Sequence, residues 1–478
     1  MLQNIPPGSR RRRAAADQPR TIHALGRALR RRRLTARDAT ERCLERIARH
    51  DPRLHAFVTV SADTARAAAE QADEELGRGI DRGPLHGVPV SLKDLIDVAG
   101  VRTSAASRIT EGHVAERDAV LVERLRTAGA VIVGKTNLHE FAFGTTNEDS
   151  AAGAARNPWD LGRSPGGSSG GSAISVATGM AFGSIGTDTG GSVRIPAAAC
   201  GVVGMKPAYG ELPSDGIVPL APTLDHPGVL ARSVLDAFLL FGVLRGVGRT
   251  RRLVKASLVN VRFGVLHRYF CDVLDKGVSD RFDEVLSVLN AARSQLVERT
   301  VPNTDAVMAT FVNLQAPEAY VYHAATLKAH AGGYTPAVRA RIERGASIPA
   351  TAYVEARQAR AAFTKAVDAL FEDVDVLLLP TLPIPAPPLG AEDVIVNGKP
   401  EAVRGLMLKM TQLFNITGHP AISIPCGRTP EGLPIGLQLV GSRDRTLSLL
   451  ELAAGCEALL ERSEGRRGVD PEQDGLLV

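Results

Sequence analysis

The sequence predicts an α/β protein, one large β-sheet with helices on both faces. Short apolar runs alternate along the chain with longer segments of helical period, as strands and helices do when they share a sheet. Hydrophobic residues make up 44% of the 478 positions, enough for a large core. No internal repeat and no break in composition divides the chain. This length allows about two or three domains by the usual prior, yet a single-sheet α/β enzyme also reaches it. One domain over residues 17–478 is therefore the economical reading.

Residues 1–16 are basic, with Pro6-Pro7-Gly8, Arg10 to Arg13 and no apolar period, and are expected to be disordered. Thr35 is placed to cap a helix from Ala36 to His50, in which Leu44, Ile47 and Ala48 keep one apolar face. Ser61 is placed to cap an alanine-rich helix ending near Gly77. Gly87 to Leu92 reads as a buried strand ending at Lys93-Asp94. Asp118 is expected to cap Ala119 to Ala128, with Leu121, Val122 and Leu125 on one face and Gly129 as the C′ residue. Ala130 to Val133 reads as the next buried strand, and Val234 to Val243 as a helix. Residues 250 to 370 read as mostly helical. Asp375 to Leu379 is a strand entering a stiff proline-rich loop, Pro380 to Pro388, of the kind that shapes a pocket wall. Ala421 to Ile424 and Leu433 to Val440 follow as strands, and Thr446 to Leu460 as an amphipathic helix.

Charge and composition narrow the function. The net charge of +5 comes largely from Arg10 to Arg13 and Arg30 to Arg33, while 57 basic and 52 acidic residues otherwise balance. No aromatic residue interleaves with those runs, so a stacking platform for single strands is absent and nucleic acid is not the expected partner. No run approaches a membrane span, and no apolar stretch follows the basic N-terminus, so a cytoplasmic protein without a membrane partner is expected. Cys43, Cys200, Cys271, Cys426 and Cys456 are odd in number and far apart, which argues against a disulfide framework or a zinc site.

Two motifs mislead. Gly129 to Thr136 satisfies the letter of a phosphate-binding loop, but its variable residues Ala-Val-Ile-Val are themselves an apolar strand and the helix precedes them. Gly166-Gly167-Ser168-Ser169-Gly170 fits the Gly-x-Ser-x-Gly elbow of α/β hydrolases, which needs a later acid and histidine. Asp225-His226 are adjacent, and His323, His330 and His419 have no recognisable setting. That reading also leaves a second serine turn unexplained.

The two turns are Gly166-Gly167-Ser168-Ser169-Gly170-Gly171-Ser172 and Asp188-Thr189-Gly190-Gly191-Ser192-Val193-Arg194-Ile195-Pro196. Glycines this dense let backbone N–H groups converge on one point, as a pocket for a developing oxyanion requires. A flexible linker would lack the aliphatic flanks seen here, Ala173 to Ala177 and Val193, Ile195, Val202 and Val203. A serine nucleophile needs a base, and a lysine serves if burial leaves it neutral. Lys93, ending an apolar strand, is the best placed, although a lysine by itself is usually a solvated surface residue.

Together, Gly87 to Asp94 and the two serine turns resemble the amidase signature family. The resemblance extends through Val133 to Asn137, Glu140-Phe141, Arg156 to Asp160, Cys200 to Pro207 and Gly432 to Leu439, nearly the whole chain. It implies a single α/β/α domain around a large mixed sheet. It implies Lys93 as the catalytic lysine, Ser168 as a bridging serine in a cis peptide linkage, and Ser192 as the acyl-forming nucleophile. Thr189, Gly190, Gly191 and Ser192 would supply the oxyanion hole, and Phe143, Gly144 and Thr145 would line the acyl pocket. The implied reaction hydrolyses a small-molecule amide, or an ester, to an acid through an acyl-enzyme and needs no metal or organic cofactor. Homodimers are common among relatives. A second use of the scaffold is the subunit that releases ammonia from glutamine for misacylated tRNA. Those subunits usually carry Ser-Ser-Leu-Asp-Gln after the nucleophile, where this chain has Pro222-Thr223-Leu224-Asp225-His226-Pro227, a departure that favours the stand-alone hydrolase. A catalytically silent binding protein is the third reading, against which all three catalytic positions stand intact.

Overall fold

The computed structural model describes residues 19–110, 112–246 and 252–463, so the N-terminal segment 1–16 lies outside the described residues. In chain order the strands are β1 (Phe57–Val60), β2 (Pro89–Lys93), β3 (Val131–Thr136), β4 (Gly183–Asp188), β5 (Val203–Lys206), β6 (His226–Ala231), β7 (Arg262–Val265), β8 (Gln295–Glu298), β9 (Val376–Pro380), β10 (Asp393–Val396), β11 (Lys399–Ala402), β12 (Ala421–Arg428) and β13 (Pro434–Val440). Eleven of them form one sheet in the order β1-β3-β2-β4-β6-β5-β12-β13-β9-β7-β8, and β10 and β11 form a separate ribbon.

The sheet is mixed. β2 pairs in parallel with both β3 and β4. The centre runs antiparallel from β4 through β6, β5 and β12 to β13 and β9, and the far edge returns to parallel pairing through β7. The central strands β2, β4, β5, β6, β9 and β13 are buried at every residue, as strands covered by helices on both sides should be. A single large apolar core runs the length of the sheet. A smaller cluster, including Leu95, Phe141, Phe143, Val338 and Ile342, joins the loops after β2 and β3 to helices Val307–His330 and Pro336–Arg344.

The expected elements are present, with corrections at their ends. Thr35 caps its helix through a full capping box with Asp38, but the helix continues to Leu54 and closes on His55 in the left-handed region. Ser61 stands at its cap position without a side-chain bond to the helix. Asp118 does not cap the next helix, which spans Val120–Thr127: its carboxylate accepts instead from Ala99 N at 2.7 Å and pairs with Arg126 at 2.9 Å. Gly129 has φ +72° and follows that helix as expected. The segment read as mostly helical contains strands β7 and β8. β8 is half-exposed and Gln295-Leu296-Val297-Glu298 is only four residues long, too short to show a period against the helix before it.

Candidate active site

Lys93 is the last residue of β2 and has no solvent-accessible surface. Its Nζ donates to Ser168 Oγ at 2.7 Å and to Thr187 Oγ1, on the neighbouring β4, at 2.9 Å. Hydroxyls solvate an ammonium poorly, so burial brings its pKa down to about 7, against the opposing pull of Asp188 and Asp225. Burial lowers the pKa of Lys135 on β3 as well, but there a carboxylate in direct contact opposes it. Lys135 is equally buried, and its Nζ meets the Asp94 carboxylate at 3.0 Å and Thr103 Oγ1 at 3.0 Å. The lysine of the apparent phosphate loop is thus an ion-paired strand residue.

Ser168 follows a cis peptide bond from Gly167. Neither Gly167 nor Gly171 has room for a side chain: a Cβ on Gly167 would lie 2.8 Å from the backbone nitrogens of Thr146 and Asn147, and one on Gly171 would lie 2.4 Å from Ala56 O. His139 N donates to Ser168 O at 3.1 Å, and Asn147 Oδ1 accepts from Gly171 N at 3.3 Å. The turn then runs into helix Gly170–Ala177, wholly buried.

The second turn joins β4 to helix Arg194–Cys200. Asp188 and Arg194 brace its two ends: Arg194 donates to both carboxylate oxygens, at 3.0 and 2.9 Å, and Val193 N donates to Oδ2 at 3.1 Å. Burial alone would raise the Asp188 carboxyl, but the Arg194 guanidinium overrides it and holds the group well below the usual carboxylate range. Arg194 also reaches Asn415 Oδ1 at 2.6 Å and Gln438 Oε1 at 2.7 Å. Thr411 Oγ1 donates to Gly190 O at 2.6 Å, and Gly191 takes φ +136°. Ser169 N donates to Ser192 O at 3.2 Å, tying the two serine turns together. Of Lys93, Ser168 and Ser192, only Ser192 keeps exposed surface, 6% of its area. It is the one of the three with surface open to solvent.

Thr189 Oγ1 donates to Asp225 Oδ1 at 2.5 Å, while Asp225 Oδ2 accepts from the Leu220 and Ala221 nitrogens. Asp225 therefore serves the turn, and His226 Nδ1 faces Leu224 O at 2.7 Å, so the adjacent pair forms no acid–histidine relay. A cavity of about 60 Å³ beside Thr187 and Thr189 is lined by Leu95, Ala142, Ile217, Leu220 and Asp225.

Phe143, Gly144 and Thr145 adjoin this region. A Cβ on Gly144 would fall 2.1 Å from the His139 ring, and Thr145 C would be 2.9 Å from one on Gly167. Arg341 donates to Phe143 O at 2.8 Å, and its guanidinium also meets His139 Nε2 at 3.1 Å, where Asp149 Oδ2 lies 3.0 Å away. In the Tyr320 to His323 stretch, Tyr320 packs on the apolar cluster of Leu95, Ala142, Phe143 and Leu220, and the His323 ring meets Phe141 edge-on at 4.4 Å. The proline-rich loop is not among the cavity's lining residues: Pro387 O accepts from Ser164 N at 2.9 Å, so it buttresses the chain entering the first serine turn.

Sequence reasoning missed Thr187 and the Asp188–Arg194 brace with its partners Thr411, Asn415 and Gln438. Asp188 and Arg194 stood inside a quoted motif, and two opposite charges flanking a glycine turn six residues apart were a usable signal. The partners from the C-terminal third carried none.

With this sheet and this site in hand, the chain belongs to the amidase family, whose sequence profile matches residues 38–450. It is 36% identical over 476 residues to the A subunit of the glutamyl-tRNA(Gln) amidotransferase of Symbiobacterium thermophilum, covering 92% of this chain and 96% of that one. A crystal structure described as an amidase superposes with a TM-score of 0.87 at 37% identity, covering 92% of this chain and 99% of the other. A 6-aminohexanoate cyclic dimer hydrolase with substrate bound superposes at 0.85 with 27% identity, covering 96% and 99%. No helix among the described residues is long and apolar enough to cross a membrane.

Proposed function

We propose that the protein is a self-sufficient amidase in which Lys93, Ser168 and Ser192 form a proton relay. The observation that carries this reading is the 2.7 Å contact between Lys93 Nζ and Ser168 Oγ, made by a lysine whose burial lowers its pKa to about 7. A neutral Lys93 takes the Ser168 proton as Ser168 takes that of Ser192, and Ser192 Oγ attacks the amide carbonyl. The oxyanion develops against backbone N–H groups of residues 189 to 192, where one such donor contributes roughly 3 kcal/mol. Ser168 returns a proton to the departing amine, and water releases the acid by the same path in reverse.

A second reading, ammonia release from glutamine within a tRNA-dependent amidotransferase, is favoured by the identity to the amidotransferase chain. Against it stands Pro222 to Pro227, with a buried His226 in the segment where such subunits usually carry glutamine. Ammonia release by the purified chain from aliphatic, aromatic and amino-acid amides and from glutamine, with Ser192→Ala as control, separates the two. Serine-dependent hydrolysis of simple amides supports the self-sufficient enzyme. Release from glutamine alone, or only with added partner subunits, moves the second reading to first place.

A further inference from the structure

Phe143 sits between arginines. Arg341 holds its carbonyl at 2.8 Å, and the Arg404 guanidinium carbon lies 5.7 Å from the centre of its ring. Arg344 is one turn beyond Arg341 on helix Pro336–Arg344. The nearby acid is already engaged: Asp149 meets His139 Nε2 at 3.0 Å and Arg341 at 3.6 Å, and Glu343 pairs with Arg339 at 2.6 Å. Among the described residues, no carboxylate or carbonyl oxygen pairs with the guanidinium of Arg344 or Arg404.

Arg404 is half-buried on helix Val403–Lys409. A side chain one turn further along that helix, Leu408, would lie 3.0 Å from a Cβ on Gly190, so Arg404 stands about 6 Å along the helix from the residue that packs on the second serine turn. A Cβ on the adjacent Gly405 would meet nothing within 4 Å, so the helix face at Gly405 is open. Burial first, then the charges of Arg341 and Arg344, push the Arg404 pKa down to about 9, the mark of a cation whose surroundings lack a counter-charge. A half-buried, unpaired guanidinium against an aromatic ring is a costly feature unless a ligand completes it.

We infer that Arg404, with Arg344 at the rim, binds an anionic group on the acyl portion of the substrate, so that the enzyme selects amides carrying a carboxylate remote from the scissile carbonyl. This rests on the amide-hydrolysis reading above. The half-buried guanidinium set against the Phe143 ring, rather than an exposed run of basic residues, points to a small-molecule carboxylate.

The full-length chain is assayed on succinamate with butyramide, adipamate with hexanamide, and 4-carbamoylbenzoate with benzamide. In at least one pair, kcat/KM for the anionic member should exceed that of its neutral partner about ten- to a hundredfold, chiefly through KM, as a hydrogen-bonded charge pair provides. Arg404→Gln should erase most of that ratio and Arg404→Lys should restore part. Equal values within every pair, or a ratio that Arg404→Gln leaves intact, overturns the anion site while the amidase reading stands. If the wild type cleaves no amide in a Ser192-dependent way, the amidase reading fails instead. Calorimetric titration of succinate, adipate and terephthalate then decides the anion site: binding that Arg404→Gln abolishes supports it, and no binding to the wild type overturns it. Should Arg404→Gln fail to fold by thermal melting, Arg344→Gln, at an exposed position, takes its place in both arms.

Discussion

Asp188 and Arg194 clasp the turn that carries Ser192, carboxylate to guanidinium at 2.9 Å with no solvent access to either side chain. Removing one partner strands the other charge in the core, which costs about 3–5 kcal/mol. Arg194→Met should therefore lower thermal stability sharply, and Asp188→Asn should do so with an equally large loss of amide hydrolysis. A wild-type melting temperature in either variant would contradict the brace.

The pH profile reports on Lys93. As the base it must be neutral, and with a pKa near 7 it gains its proton as pH falls through that value. The kcat/KM profile should be level above about pH 8 and fall about tenfold per unit well below 7. A profile level down to pH 5 would remove Lys93 from the base role.

The same shift has a stability consequence. Between pH 7 and 10 the unfolded chain keeps the Lys93 proton that the folded chain has lost, so acidification through this window disfavours folding. The melting temperature of Lys93→Met relative to wild type should move in the variant's favour as pH falls from 10 to 7. Parallel melting curves at both pH values would show that Lys93 is protonated in the fold.

Ser192→Ala should abolish the acyl-enzyme adduct seen by intact mass and lower kcat by at least about ten-thousandfold. Adduct formation in that variant would move the nucleophile elsewhere.

Gly171→Ala should destabilise the protein severely, because its Cβ would meet the backbone oxygens of Ala56 and Asn137 at 2.4 and 2.6 Å. Gly77→Ala, at a helix position with nothing within 4 Å, should leave stability level or raise it by up to about 1 kcal/mol. Chemical denaturation of the two variants side by side reads both.

Local pattern made much of this legible. Gly87 to Lys93 announced a buried strand because every residue of β2 faces core, and the paired glycine turns announced backbone too crowded for side chains, as Gly167 and Gly171 prove. Lys93 and Ser168, proposed as partners from the resemblance, lie in hydrogen-bond contact. What stayed hidden was long-range. Nothing near Arg194 says that Asn415 and Gln438 will satisfy its guanidinium, and nothing near Asp118 says that Ala99 N will claim its carboxylate before the helix can. Short, half-exposed β8 has no period to read, and its strand character comes only from pairing with β7.

The residues proposed for bond-breaking lie between Lys93 and Arg194, whereas the arginines around Phe143 lie between 341 and 404. The proposed anion site thus draws its charges from a stretch of the gene separate from the one that carries the serine turns, and meets it at Phe143. On the anion-site proposal, a chimera taking residues 335 to 407 from a relative should carry that relative's acyl preference while keeping this chain's serine turns. The splice has a sharp limit: Leu408 crowds Gly190, and Thr411 holds its carbonyl, so from there the chain again supports the second serine turn.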